Sequence, residues 1–432
     1  MELSAALGSV LACRFGPAVG VLLDLVLDLP DPYRHLVAEE DVGAFRAGTI
    51  EDLLGAVGLI GSNGCLNKAG EILLCEPAGA DSRELIVYQY RESVGGEVKA
   101  GRRFSGPLLT VFSEAMTAIE ARIDTSPLNL SSGQQLQIQN YPIEAVREAV
   151  ANAVMHGDLR ERRPVQIEHS PESLEVRSPG PLVAGVSPEN ILTHPPKPRF
   201  PTLAEAMRSL GLAEKWGQGL DRMYREAMRN GKDAPTVTVS EGQSQDTTVR
   251  FMGGAPNTRV AKFIASLADR DQEDTDALIT VSVLTHRRGV TAETLMPIVQ
   301  RDMIATQAVL SRLSTGPIPF IEPTARTSRN AYPEYRLTGA AIAALGSALG
   351  YNTRMRTDSD RKIIEHIREY ETINNGAVQR LLDVDVFGAR DTLRDLVDCG
   401  VIKMSAGATR GRGVKYEPGS EFPSRRKSKQ AE

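Results

Sequence analysis

The strongest structural signal in this chain is the stretch YPIEAVREAVANAVMH, which runs from Tyr141 to His156. The proline near its start suits the first turn of a helix, and the pattern predicts a helix over residues 143–155. Glu148, Asn152 and His156 follow one another at intervals of four residues. These three side chains therefore share one face of the predicted helix.

A carboxylate, an amide and an imidazole on an otherwise Ala/Val helix need polar partners if they are buried. In a nucleotide site, Asn152 would offer an oxygen ligand to Mg²⁺, and Glu148 would polarise a water for attack on a phosphate. The alternative is a solvent-facing polar stripe without a site. The helix by itself leaves both interpretations open.

Two later segments favour the nucleotide interpretation. A strand predicted over residues 173–177 leads into SPG at 178–180, and KWGQG at 215–219 opens a helix. Glycines at a helix start let backbone N–H groups approach a phosphate, and the helix dipole favours its charge. Glycine before a helix is also typical of an ordinary turn, so this motif alone is weak evidence.

Together these segments resemble one known family. The stretches YPIEAVREAVANAVMHGD, LEVRSPGPL and RFPTLAEAMRSLGLAEKWGQGLDRM, followed by a strand, are similar to the GHKL-type ATP-binding domain of bacterial transcriptional regulators. Such regulators are often labelled as related to an ATP-dependent DNA helicase, and they usually carry a Schlafen-type AlbA-like domain in front. The similarity covers residues 49–251 and implies a GHKL (Bergerat-like) α/β sandwich that binds ATP and Mg²⁺.

The resemblance implies a role for each matching residue. Glu148 corresponds to the general base and Asn152 to the Mg²⁺ ligand, while His156 lies near the phosphates. Residues 181–212 correspond to a lid over the nucleotide. The other residues implied to contact the nucleotide are Ser178, Gly180, Arg199, Lys215, Gly217, Gly219 and, on the adenine side, Thr248.

The chain departs from the family pattern at two places. GHKL ATPases generally hold adenine with an aspartate that opens a DxGxG motif, and the equivalent RSPG at 177–180 has no aspartate. The regulators usually have Asn-Pro-Gly there, and Arg-Asn-Pro where this chain has RFP at 199–201. Weak ATPase activity and nucleotide binding without hydrolysis therefore both stay open.

The sequence ahead of this similarity is short. Its 48 residues show no AlbA-like pattern, so we expect that domain to be absent or truncated. The acidic run at 39–41 is a minimal carboxylate cluster for nuclease chemistry, but consecutive acidic residues are usually solvated. We predict an N-terminal α+β segment over residues 1–124 and the ATP-binding domain over residues 125–254.

Two blocks beyond residue 254 share a predicted layout of three helices followed by a β-hairpin. The blocks at 257–345 and 354–418 resemble winged helix-turn-helix domains, in which the third helix enters the major groove of DNA. The alternative role for such a domain is dimerisation or domain packing. The residues predicted to contact DNA are Arg326, Arg329, Arg390, Arg394, Lys403, Arg410, Arg412 and Lys415.

Composition sets the remaining expectations. The 432 residues include 50 Lys+Arg and 55 Asp+Glu, so the formal net charge is −5, and 41% of residues are hydrophobic. This balance excludes a fibrous, disordered or uniformly basic chain. We expect the basic tail at 419–432 to be disordered. Four cysteines without a CxxC pair, and no apolar run approaching the roughly 18 residues of a membrane span, predict a cytoplasmic protein.

The sequence thus predicts a multidomain α+β protein that binds ATP, Mg²⁺ and double-stranded DNA, forms a homodimer and has no membrane partner. Its predicted function is transcriptional regulation in which nucleotide state controls DNA binding or dimerisation. A second hypothesis is a degenerate pseudo-ATPase scaffold, either nucleoid-associated or part of phage defence. A third, an ATPase that remodels nucleic acid, has no supporting motif, since the sequence contains no GxxxxGK[ST] loop.

Overall fold

The structure, a computed structural model, describes residues 54–62, 64–76, 83–130, 133–213, 219–242, 244–324, 327, 330–350, 358–382, 384–398, 400–405, 414–420 and 422–423. The chain divides into two compact units. The first comprises Met1–Leu284 and Gly289–Ala344, and the second comprises Thr285–Arg288 and Leu345–Glu432. Within the described ranges, no helix has both the length and the apolar character that crossing a membrane requires.

The first unit is built around a mixed sheet of six strands. Its elements up to residue 252 are α1 (Lys68–Leu74), β1 (Glu84–Arg91), β2 (Val98–Ser105), α2 (Leu108–Glu120), β3 (Thr125–Asn129), β4 (Gln135–Gln139), α3 (Ile143–His156), β5 (Val165–His169), β6 (Ser173–Pro179), α4 (Pro201–Ser209), α5 (Gly219–Arg229), β7 (Thr236–Val239) and β8 (Asp246–Met252). The sheet order is β2-β1-β5-β6-β8-β7, and only the β1–β5 pair is parallel. Strands from both sides of residue 124 therefore share one sheet.

One face of this sheet is covered by helices and the other is polar. Side chains alternate along β6, so Leu174 and Val176 are buried while Glu175 lies on the opposite face, 3.3 Å from Arg250 of β8. On the buried side, α2 contacts β1 and β2, α3 contacts β6, and α5 packs on α3. The result is a two-layer α/β sandwich, which agrees with the α+β class predicted for this part of the chain.

Helix α3 lies at the centre of this sandwich. Its alanine and valine side chains are buried around most of the helix, as expected for a helix packed on a sheet and covered by further helices. Tyr141, just before the helix, is fully buried, and its hydroxyl donates a hydrogen bond to the carbonyl oxygen of Ser170 at 2.7 Å. The start of the helix is thereby fixed to the turn between β5 and β6.

The remaining elements form two blocks, and in each of them a series of helices precedes a two-stranded antiparallel hairpin. The first block contains α6 (Thr258–Ala265), α7 (Asp269–Gln272), α8 (Thr275–His286), α9 (Ala292–Val299), α10 (Met303–Thr315), β9 (Ile321–Pro323), β10 (Tyr335–Leu337) and α11 (Gly339–Leu345). The second contains α12 (Asp358–Tyr370), α13 (Asn375–Leu382), α14 (Val386–Asp398), β11 (Ile402–Met404) and β12 (Tyr416–Pro418). A backbone bridge also links each hairpin to a residue two positions before a helix. Val290, ahead of α9, pairs with Tyr335, and Ile373, ahead of α13, pairs with Tyr416.

Candidate functional site

A cavity of about 160 Å³ lies between helix α3, the sheet and the segment that follows β6. Glu148, Asn152 and His156 all line it, so the polar face predicted from the sequence forms one wall. The remaining wall residues come from α3 (Ala153, Met155), from the sheet (Val176, Ser178, Val237, Thr247, Val249), from α4 (Arg208), from α5 (Gly219, Leu220, Met223) and from the segment after β6 (Pro181, Leu182, Val183, Val186, Ile191, His194, Pro195, Pro196, Lys197). The structure therefore brings four predicted contact residues from α3 and β6, and one from α5, to a single cavity.

Glu148 lies where α3 meets the start of α5. Its side chain is 5% exposed, and a Cβ atom added at Gly219 would lie 2.0 Å from its Oε1 atom. A side chain at position 219 would therefore displace the carboxylate. Glycine at this position lets the first turn of α5 approach α3 closely enough for Glu148 to line the cavity.

Asn152 has the free hydrogen-bonding capacity expected of a ligand-binding residue. Its amide lines the cavity and makes no hydrogen bond to any other residue in the described ranges. An amide oxygen is a suitable Mg²⁺ ligand, and the amide NH₂ is a hydrogen-bond donor for a phosphate oxygen. The side chains of Glu148 and Asn152 thus fit the chemistry of a nucleotide bound with Mg²⁺.

His156 is uncharged at neutral pH. Burial is the main cause that lowers the pKa of His156 to about 4, and the neighbouring Arg208 and Arg199 guanidinium groups lower it further. Positive charge in the cavity comes instead from Arg208 and Lys197, which both line it. Neither residue was among the predicted contacts: Lys197 lies just before the quoted stretch that begins at Arg199, and Arg208 lies within that stretch but had no role implied by the resemblance.

Arg199 and Gly180 lie behind the cavity wall. The Arg199 guanidinium donates from Nε to the His156 carbonyl oxygen at 3.0 Å and from Nη2 to the Pro181 carbonyl oxygen at 2.6 Å. Gly180 has a φ of +90°, and a Cβ atom there would lie 2.9 Å from Cβ of Asp158. These residues join the end of α3 to the segment after β6 and are not among the residues that line the cavity.

Strand alternation decides the position of Thr248. Its neighbours Thr247 and Val249 line the cavity, whereas Thr248 lies on the opposite face of β8, in register with Arg177. The Thr247 hydroxyl donates to the Gly180 carbonyl oxygen at 3.0 Å. The alternation of apolar residues through Val249 and Phe251 is the sequence signal that would have selected Thr247.

Several other predicted contact residues lie outside the described ranges, namely Lys215, Gly217, Arg326, Arg329, Arg410 and Arg412. In the second block, Arg390, Arg394 and Lys415 are exposed. Arg394 pairs with Asp391 at 3.4 Å, and Lys403 pairs with Glu417 at 3.3 Å.

The segment that covers the cavity is shorter than the predicted lid. Residues 201–209 form α4, whose Leu203 and Met207 side chains are buried in the core of the sandwich, so only residues 181–200 form an irregular cover. We call residues 181–200 the lid segment. Asn190 stabilises the first half of the lid segment. Its side chain accepts a hydrogen bond from the Ser187 N–H and donates one to the Gly185 carbonyl oxygen.

The lid segment is also held by Gln300, at the turn between α9 and α10. The Gln300 side chain accepts a hydrogen bond from the Leu192 N–H at 2.7 Å and donates one to the Pro188 carbonyl oxygen at 2.7 Å. Gln300 itself has a φ of +56°, in the left-handed region. This conformation is costly for a residue with a side chain, and such positions are often functional.

Comparisons with known proteins match the strands and the lid segment that border the cavity, but the matched family range begins after α3. A family model described as "Putative ATP-dependent DNA helicase recG C-terminal" matches residues 162–251, which contain β5–β7, the lid segment and β8 up to Phe251. Among solved structures, the chain is similar to the DIP2311 protein from Corynebacterium diphtheriae, with a TM-score of 0.61 and 25% identity. That similarity covers 73% of this chain and 63% of the other, so the chain spans less than two thirds of the other protein's length. No curated protein matches the chain.

The family match and the mixed α/β sandwich together indicate an ATPase-like domain. A domain of this class suggests nucleotide binding.

Proposed function

We propose that the cavity binds Mg-ATP and that this binding controls attachment of the protein to DNA. The nucleotide part of the proposal is supported by the side chains that converge on the cavity. The Asn152 amide is suited to the metal ion, and Lys197 and Arg208 supply positive charge for the phosphates. Mg²⁺, when bound with the nucleotide, would neutralise part of the phosphate charge.

Glu148 is the carboxylate that would polarise water in any hydrolysis. It is the one acidic residue among the described residues that line the cavity. Its close contact with Gly219 restricts where the carboxylate can lie. We therefore assign to Glu148 the role of general base, and to Asn152 that of metal ligand.

The contact that supports regulation is the one between Gln300 and the lid segment. Ligand pockets usually measure about 300–1,000 Å³, whereas this cavity measures about 160 Å³. ATP therefore needs the lid segment to move outward. That movement would break or rearrange the two hydrogen bonds to Gln300, at the turn between α9 and α10. Nucleotide binding would thus change the contacts of the turn that leads into α10.

We further propose that both C-terminal blocks are winged helix-turn-helix domains with different partners. In the second block, the third helix, α14, exposes Arg390 and Arg394, which suits contact with DNA phosphates. In the first block, the last helix before the hairpin, α10, exposes Ile304 (78% exposed) and Ala308, while Arg312 is bonded to Asp271 at 2.8 Å. We assign DNA binding to the second block, and contact with a second copy of the chain, as a homodimer, to the first.

One observation favours the pseudo-ATPase scaffold as a second candidate. Where GHKL ATPases place an adenine-binding aspartate, Ser178 is 6% exposed and donates from Oγ to the Thr247 carbonyl oxygen at 3.4 Å. The sheet wall of the cavity therefore offers a hydroxyl where a carboxylate is usual. In the scaffold hypothesis, the protein binds DNA through its basic C-terminal residues, and ATP has no effect.

The first experiment is calorimetric titration of Mg-ATP into the full chain. We expect binding to the native protein and its loss in Asn152→Ala, with Asn129→Ala, on the exposed β3 strand, as the matched control. The second experiment is fluorescence anisotropy of a labelled DNA duplex with and without Mg-ATP. Absence of Mg-ATP binding would reject the nucleotide site, and identical DNA-binding curves would reject regulation while leaving the nucleotide site intact.

A further inference from the structure

A second cavity, of about 560 Å³, lies between α1, the start of α4 and the residues that follow α3. We call it the basic groove, because Lys68, Arg83, Arg160 and Arg199 line it. No acidic residue is present among the described residues that line it. Arg199 is the residue that also bonds the backbone behind the first cavity. The groove is therefore a separate feature that shares a wall with the candidate nucleotide site.

Nearby carboxylates neutralise only part of this positive charge. Asp158 accepts two hydrogen bonds from the Arg160 side chain, at 2.8 and 2.6 Å, and lies 3.6 Å from Nη1 of Arg199. Lys68 pairs with the exposed Glu71 at 2.9 Å. Four cations facing these two carboxylates leave 4 − 2 = +2 charges at the groove, and Glu161, which also acts on Arg160, is itself paired with Arg163. Such an excess in a concave surface attracts an anion.

Arg83 is the cation with the most unused hydrogen-bonding capacity. It donates one hydrogen bond, from Nη1 to the Leu159 carbonyl oxygen at 2.9 Å, and forms no ion pair with any carboxylate in the described ranges. A guanidinium group has five N–H donors in a planar fork that matches the oxygens of a phosphate. Arg83 is thus positioned by one bond, and its other donors are available to a ligand.

The start of α4 adds to the same preference. This nine-residue helix has Pro201 in its first turn and no side-chain hydrogen bond capping its N-terminus, and Thr202 and Leu203 line the groove. Unpaired N–H groups and the helix dipole at such an end favour negative charge. The cations and the helix terminus are independent features, and both favour an anionic ligand.

The apolar part of the wall restricts the kind of anion. Ile72, Leu159 and the Phe200 ring line the groove beside the cations. An aromatic ring next to basic side chains suits a base or sugar carrying a phosphate, since bases stack on aromatic rings. The volume of about 560 Å³ falls within the usual size of ligand pockets, about 300–1,000 Å³.

We propose that the basic groove binds the phosphate group of a nucleotide or of a nucleic-acid strand, at a site distinct from the first cavity. The proposal does not depend on ATP binding in the first cavity. Its main contacts are Lys68, Arg83 and the first turn of α4. Arg160 and Arg199 supply further positive charge, but both also hold Asp158.

The test is calorimetric titration of pyrophosphate into the full chain and into a double variant, Lys68→Gln with Arg83→Gln. The control is Lys99→Gln with Arg103→Gln, which removes one exposed lysine and one exposed arginine, each paired with a single glutamate, from β2 outside the groove. We expect pyrophosphate affinity to fall at least about tenfold in the groove variant relative to the control variant, about 1.4 kcal/mol. A third variant, Lys68→Glu, changes only a side chain that is 79% exposed and should weaken binding while the protein stays folded.

Equal pyrophosphate affinity in the groove and control variants would overturn the proposal, as would no binding to the native protein. A labelled 12-nucleotide dT strand and AMP, each used to displace pyrophosphate, identify the source of the phosphate. Displacement by the strand alone supports a nucleic-acid ligand, and displacement by AMP supports a free nucleotide. Asn152→Ala should leave pyrophosphate binding at the groove unchanged, which separates this site from the proposed ATP site.

Discussion

Replacing Gln300 by alanine removes both hydrogen bonds that connect the lid segment to the turn before α10. Both bonds measure 2.7 Å, and both join a half-buried amide to backbone groups of Leu192 and Pro188. A hydrogen bond of this kind contributes about 0.5–1.5 kcal/mol net, so the pair contributes about 1–3 kcal/mol. That range equals a change of about 5- to 150-fold in an equilibrium constant.

Two effects are expected in this variant, a gain in affinity for Mg-ATP and a loss of the effect of Mg-ATP on DNA affinity. Because the lid segment opens more easily without these bonds, Mg-ATP should bind about 5- to 150-fold more tightly to Gln300→Ala. Because the lid segment no longer contacts the turn before α10, Mg-ATP should lose its effect on DNA affinity. Calorimetry measures the first quantity, and fluorescence anisotropy with and without Mg-ATP measures the second. A variant that is merely destabilised would not bind ATP more tightly.

Two further variants complete this experiment. Gln300→Gly also removes the side chain, and it should be more stable than Gln300→Ala because glycine adopts the φ of +56° without steric cost. The control, Gln272→Ala, likewise removes two hydrogen bonds between a side-chain amide and the backbone. The Gln272 amide donates to the carbonyl oxygens of Leu267 and Ala265, away from the lid segment. A response of DNA binding to Mg-ATP that persists in Gln300→Ala, or the same two changes in Gln272→Ala, would exclude coupling through Gln300.

Three other predictions concern stability, the cavity and DNA. Burial chiefly lowers the pKa of His169 to about 4, so the unfolded state takes up the proton first and stability falls as pH decreases from about 6.5 towards 4. The free energy of unfolding should drop by about 2 kcal/mol from this group between pH 7 and pH 5, and His169→Gln should flatten that dependence in urea titrations. Gly219→Ala displaces the Glu148 carboxylate and should weaken Mg-ATP binding at least about tenfold by calorimetry; unchanged affinity would contradict the close contact. Arg390→Ala with Arg394→Ala should lower the slope of log affinity for DNA against log salt by about two, and an unchanged slope would exclude α14 from the phosphate contacts.

Local sequence pattern was enough for the elements that carry their own signal. The helix predicted over residues 143–155 extends from Ile143 to His156 in the structure, and the strand predicted over residues 173–177 lies within β6 (Ser173–Pro179). Helical periodicity places Glu148, Asn152 and His156 on one face wherever the helix packs, so their shared face required no knowledge of the fold. That this face lines a cavity was decided by the packing of the sheet, α5 and the lid segment against it.

Elements with weak internal signals were missed. The strand β2 (Val98–Ser105) has mostly exposed side chains, and it is defined by its pairing with β1 at the edge of the sheet. Helix α8 (Thr275–His286) was not predicted either, since apolar and threonine residues lie on all its faces and leave little amphipathic periodicity. On β8, the prediction selected Thr248, but Thr247 is the residue that lines the cavity. Side chains alternate along a strand, so a shift of one residue places Thr248 on the polar face.

The central helix, its polar face and the resemblance to an ATP-binding domain were predictable from local sequence, because they depend on residues close together in the chain. Tertiary structure alone decided the role of Gln300, whose contacts reach 108 and 112 residues back to the lid segment. It also decided the basic groove, where Lys68, Arg83, Arg160 and Arg199 meet from four separate segments. Contacts of this kind depend on how helices and strands pack, and the spacing of residues along the chain does not predict them.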